Sequence, residues 1–218
     1  MAKIRTLSDL QDRLDKELAW RLKEVAVLKT AVQKASGQAQ VAQVRAGVTI
    51  LYAHWEGFVK QASTQYLEYI CRSGTKYSEL QDAFVFLGLR KQISRIAVSS
   101  KTKAGIEAIE FMRKGLGETA SFDYQSAIDT ASNLSSTVFE DIATSVAIDP
   151  KPYTPYSKLI DESLLNRRNK IAHGEFLDLD AKSWKELSDE VLILLRMFKT
   201  DIENCATMRS FKLKAVST

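Results

Sequence analysis

Two histidines, two cysteines and three prolines are all that 218 residues hold of these types, and each shortage removes a class of explanation. Cys71 and Cys205 are far apart in the chain and stand near no histidine, so no zinc-binding spacing exists and neither metal nor cofactor is implied. The two thiols read as free, which suits a reducing compartment. No run of eighteen apolar residues occurs, and the opening Met1-Ala2-Lys3-Ile4-Arg5 lacks the apolar stretch of a secretory signal. A soluble, cytoplasmic protein with no membrane partner is therefore expected. The net charge of +4 is not concentrated in dense Lys/Arg runs, which argues against a dedicated duplex-DNA binder while permitting RNA.

What is present is helical periodicity, in a chain that is 45% hydrophobic. Leu10, Leu14, Leu18, Leu22, Val25, Leu28 and Val32 recur at steps of three and four, with Ser8 and Gln11 spaced as a capping box, which predicts a helix to about Lys34. Ser36 and Gly37 break it. A longer stripe, Val41, Val44, Val48, Leu51, Tyr52, Trp55, Val59, Ala62, Tyr66 and Tyr69, predicts a second helix ending before Gly74. Shorter helices are predicted at about 78–98, 104–114 and 135–147, with loops at 99–103 and 117–123. The three prolines all fall within 150–155 and predict an extended connector. Helices at about 157–173 and 181–206 follow, the first stopped by Gly174 and the second capped by Asp180. The expected fold is all-α: a helical bundle with a long antiparallel helix hairpin and additional shorter helices. Residues 1–218 read as one domain, with a core at about 38–206, an N-terminal helix 7–34 packed on it and a frayed tail from 209 onward.

Helical, basic and titratable signals converge on Leu-Leu-Asn-Arg-Arg-Asn-Lys-Ile-Ala-His-Gly-Glu, residues 164–175. At 100° per residue, Ile160, Leu164 and Ile171 share a sector of about 40° facing the core, and Glu162, Asn166, Asn169 and His173 lie within about 60° on the opposite side. Arg168 lies about 140° around from His173, too far for the two side chains to converge on one atom of a straight helix. A two-fold pairing of protomers answers this, bringing an arginine and a histidine from each copy around one cleft. Arg167 also precedes His173 at a workable distance, but its angle places it on the core face, so Arg168 is preferred. Lys170 reads as a solvated lysine within reach of an RNA backbone, with Asn166 a second substrate contact. Glu56 is a candidate acidic partner for Arg168. His54, beside Trp55, reads as a structural polar residue rather than a ligand.

An arginine and a histidine with four residues between them, as in Arg168-Asn169-Lys170-Ile171-Ala172-His173, late in a helical bundle, resemble the Arg-x4-6-His signature of the HEPN superfamily. Tyr52-Ala53-His54-Trp55-Glu56-Gly57-Phe58-Val59-Lys60, Asn133-Leu134 ahead of Val138-Phe139, and the Leu164-Leu165 lead-in look like one prokaryotic subfamily tied to defence and toxin-antitoxin settings. The likeness spans about residues 40 to 205. It implies a metal-independent endoribonuclease working at a homodimer interface, a toxin or abortive-infection effector with a possible antitoxin or other protein partner. On that resemblance a ribose 2′-OH attacks the adjacent phosphodiester, Arg168 stabilises the developing charge and His173 moves a proton. Asn169 would bond the ring or a phosphate, and Glu162 or Glu175 would orient the imidazole. Some members carry a tyrosine two places after the histidine as a modification site, where this chain has Glu175. The alternative is a non-catalytic helical module binding RNA or protein, or a regulatory subunit of a defence complex.

Overall fold

The computed structural model describes residues 3–98, 102–176 and 179–213. Helix α1 (Leu7–Lys34) is opened by a capping box two residues upstream of the expected one. Thr6 Oγ1 accepts the Asp9 N–H at 3.1 Å and Asp9 Oδ2 accepts the Thr6 N–H at 2.9 Å, so Ser8 sits inside the first turn. Its stripe is buried as expected at Leu10, Leu14, Leu18, Val25 and Val32. After Ala35 and Ser36 the chain reverses into α2 (Gly37–Arg72). Contacts between residues 32 and 40, 24 and 54, and 4 and 68 have nearly constant index sums, so the two helices are antiparallel.

Helix α7 (Ala181–Thr207) opens at Asp180, whose carboxylate accepts the Ser183 N–H at 2.6 Å. Ion pairs of Lys29 with Asp189, and of Lys199 with Asp15 at 2.8 Å, run it antiparallel to α1 and therefore parallel to α2. Its predicted stripe from Trp184 to Ile202 is buried. The remaining α-helices are α3 (Asp82–Val98), α4 (Thr102–Lys114), α5 (Ser136–Ser145) and α6 (Arg167–Ala172), with residues 118–135 forming a long loop. Part of the predicted 99–103 loop lies outside the described residues, and α4 already begins at Thr102. Phe139 of α5 joins Trp55 of α2 (centroids 5.1 Å) to Phe198 of α7 (5.4 Å) in the centre of one apolar cluster reaching from Ile4 to Phe211. Apart from two isolated bridges no strand occurs among the described residues, and the protein is all-α.

Two expectations are corrected. The proline segment is a 3-10 helix, Lys151–Tyr156, rather than extended chain. Proline's fixed φ suits that conformation; Pro150 and Pro152 stand at its start, where a missing donor costs nothing, and Pro155 lies inside it and gives up one donor. The first part of the expected loose tail, 209–213, is packed, while 214–218 lie outside the described residues: Phe211 is fully buried beside Tyr66 and Tyr69, Gln81 N–H donates to its carbonyl at 2.9 Å, and Lys212 pairs with Glu79 at 3.2 Å. One apolar side chain at the right register anchors a segment that its composition marks as loose.

Candidate functional site

The helix predicted at 157–173 is built in pieces. A π-helix, Leu159–Asn166, runs into α6, and its wider turn sets back the faces that a uniform 100° step assigns to the residues beyond it. Ile160 and Leu164, within the π segment, are buried as the spacing predicts, whereas Ile171, beyond it, is only half-buried. Asp161 ties the π segment to α5 by accepting the Ser136 N–H at 2.7 Å. α6 closes in a Schellman motif: Glu175 N–H donates to the Lys170 carbonyl at 2.9 Å and Gly174 N–H to that of Ile171 at 3.0 Å. Gly174 supplies the left-handed residue this needs, with φ +76°. His173 is the last residue before it, exposed, its imidazole without hydrogen bond or ion pair among the described residues.

Arg168 points the other way. Its Cζ lies 4.0 Å from the centroid of the Tyr52 ring on α2, and Nη2 donates to Asn133 Oδ1 at 2.8 Å and to the Ser132 carbonyl at 3.3 Å. Tyr52 in turn accepts the buried Leu134 N–H at 2.7 Å. Burial raises the Tyr52 hydroxyl above its ordinary range, against the opposing pull of Leu134 and Arg168, so it stays a neutral phenol. Three segments far apart in sequence, 52–60, 133–134 and 164–175, thus meet at one guanidinium.

The other candidates are dispersed around this point. Glu56 does not pair with Arg168; its Oε1 accepts the Thr130 hydroxyl at 2.6 Å, because the 130–134 loop segment lies between α2 and α6. Glu162 and Glu175 are exposed, and neither carboxylate meets His173: the chain turns away at Gly174, and Glu162 lies back in the π segment. Asn169 is half-buried; its backbone carbonyl accepts the His173 backbone N–H at 3.0 Å, and its side chain makes no hydrogen bond to the imidazole. Asn166 and Lys170 are exposed; Arg167 is half-buried and makes no ion pair among the described residues. Sequence reasoning missed Arg45, which donates to the Glu175 carbonyl at 2.6 Å and holds the exit from α6. It also took Tyr52 for ordinary core and assigned Asn133 no role, since stripe counting reports burial but not the partner of a polar tip. His54 is structural, 3% exposed on the α1 side of α2, with Nε2 2.8 Å from Glu24 and its ring edge-on to Trp20.

Among the described residues no group of three or more His, Cys, Asp or Glu side chains is arranged to hold a metal ion, and no helix is long and apolar enough to cross a membrane. A family model described as HEPN_MAE_28990-like HEPN matches residues 10–211. No curated protein and no solved structure matches the chain.

Proposed function

The chain belongs to the HEPN superfamily, and from that premise we propose that it is a metal-independent endoribonuclease serving as a toxin or abortive-infection effector. HEPN domains commonly bind RNA and commonly pair, and the site chemistry suits both. A ribose 2′-OH attacks the neighbouring phosphorus, the 5′ oxygen leaves, and the products carry a 2′,3′-cyclic phosphate and a free 5′-OH. Arg168 stabilises charge on the phosphoryl oxygens and His173 transfers a proton at the attacking or leaving oxygen. The observation that carries this reading is an exposed, uncommitted imidazole closing the same short helix that presents a firmly held arginine. Because Arg168 turns toward α2 while His173 stands at the helix end, a second copy about a two-fold axis completes the cleft.

The test is labelled RNA incubated with purified protein in excess EDTA. Cleavage giving 5′-OH ends is expected, and His173→Ala lowers its rate by about 100-fold or more. No cleavage by the wild type, or equal cleavage by His173→Ala, removes the assignment.

One observation favours a second reading. Arg168 Nη2 already donates twice within its own subunit, as a purely structural arginine does. A non-catalytic module binding RNA or a defence-complex partner predicts tight RNA binding without cleavage, unchanged by Arg168→Ala.

A further inference from the structure

Two consecutive residues bearing side chains, Ala131 (φ 51°) and Ser132 (φ 59°), occupy the left-handed region in the loop before α5. Residues other than glycine adopt that conformation in succession only where their surroundings impose it. Here the surroundings are a clamp from α2. Glu56 accepts the Thr130 hydroxyl at 2.6 Å and Tyr52 accepts the Leu134 N–H at 2.7 Å, so two residues one helical turn apart grip the two ends of the segment. Between them, Ala131 N–H donates to Asp129 at 2.8 Å and Asn133 N–H to the Thr130 carbonyl at 3.0 Å. The result of this winding is that two acceptors, Ser132 O and Asn133 Oδ1, converge on one nitrogen of Arg168.

The guanidinium is not placed to satisfy its own donors. Nε is buried without a partner, and Nη1 makes no hydrogen bond among the described residues. A structural arginine free to choose would spend its five donors on nearby acceptors. This one has its Cζ 4.0 Å from the centroid of the Tyr52 ring and is pulled at a single corner, Nη2, which restrains its fork and leaves Nη1 without a hydrogen bond among the described residues. From this we infer that Asn133, carried on the clamped 130–134 turn, is a positioning residue: it sets the orientation in which Arg168 meets a phosphoryl oxygen. The inference rests on the nuclease reading for its chemistry, but the hold on Arg168 is measurable without it.

Two readouts test it. In RNA cleavage, Asn133→Ala lowers kcat by about tenfold to a hundredfold, the cost of a misplaced catalytic group, and leaves KM within about twofold. Asn133→Asp, which retains an oxygen acceptor, recovers most of the loss. In a nitrogen-15 arginine spectrum, the Nε–H signal of Arg168, assigned by its disappearance in Arg168→Lys, is sharp and slow to exchange in the wild type. It broadens in Asn133→Ala and returns in Asn133→Asp. Circular dichroism checks the fold of each variant, and Asn133→Ser replaces Asn133→Ala if the latter does not fold. A kcat for Asn133→Ala within twofold of wild type overturns the inference, as does a loss carried by KM alone. If the wild type cleaves no RNA, the nuclease reading falls and the spectrum decides: an Nε signal indifferent to Asn133 overturns the positioning role, and one that is lost and then rescued upholds it.

Discussion

Of the chain's two histidines one lies within a helix and the other caps a helix end, and their neighbours separate them further. His54 is 3% exposed between Glu24 and Arg21; burial holds its imidazole below the ordinary range, with Arg21 adding to the shift and Glu24 opposing it. Because the folded value lies below the unfolded one, the unfolded chain binds a proton that the folded chain refuses once pH drops below about 6.5. Stability is therefore full above that point and declines as pH falls toward the depressed value, with a slope of at most about 1.4 kcal/mol per pH unit. Denaturation midpoints between pH 7.5 and 5 should show this decline, and His54→Gln should flatten it; equal slopes would refute the assignment. His173, by contrast, is exposed, and its imidazole has no partner among the described residues.

At the scale of elements, α2 is the frame on which the site is assembled. Arg45, Tyr52 and Glu56 fall on nearly one line of the helix and hold, in order, the exit from α6, the Arg168 guanidinium and the 130–134 turn. The position of α2 against α7 is set in turn by a close approach at Gly47, where an added Cβ would stand 2.7 Å from the buried indole of Trp184. Gly47→Ala gains up to about 1 kcal/mol of helix propensity but overpacks a filled core at a cost of about 1–3 kcal/mol. The steric term wins, so chemical denaturation should find this variant less stable by about 1 kcal/mol. A more stable protein would mean that Trp184 moves aside freely.

For the whole molecule, the proposed cleft makes a prediction about mixtures. If Arg168 of one protomer works beside His173 of the other, then Arg168→Ala and His173→Ala proteins, each inactive alone, form mixed dimers that retain one intact pair. Unfolding and refolding the two together should restore up to about a quarter of wild-type cleavage, allowing for random pairing and one working set per mixed dimer. A mixture as inert as its components, from a chain that sediments as a dimer, would place both groups of each site on one subunit.

The long elements were legible because burying an apolar stripe is a local instruction: α1, α2 and α7 lie within a few residues of where the leucine, valine and aromatic spacing places them. So were the helix ends around the motif, since Gly174 stops α6 through its left-handed backbone and the Asp180 carboxylate caps α7. Periodicity had no means of choosing between faces when a helix offers two. In α4, Ala104 and Ala108 are buried, whereas Ile106, Ile109 and Met112 are each about half exposed. Nor could it foresee that eight residues would wind as a π-helix, that Phe211 would pin the tail, or that Glu56 would serve a distant threonine instead of Arg168. Those outcomes depend on which surfaces meet. The amino-acid order alone determined an all-helical chain carrying an arginine and a histidine on one late helix. Tertiary packing alone decided that the arginine lies against Tyr52 and Asn133 while the histidine remains open, because the partners of a polar tip come from segments remote in sequence.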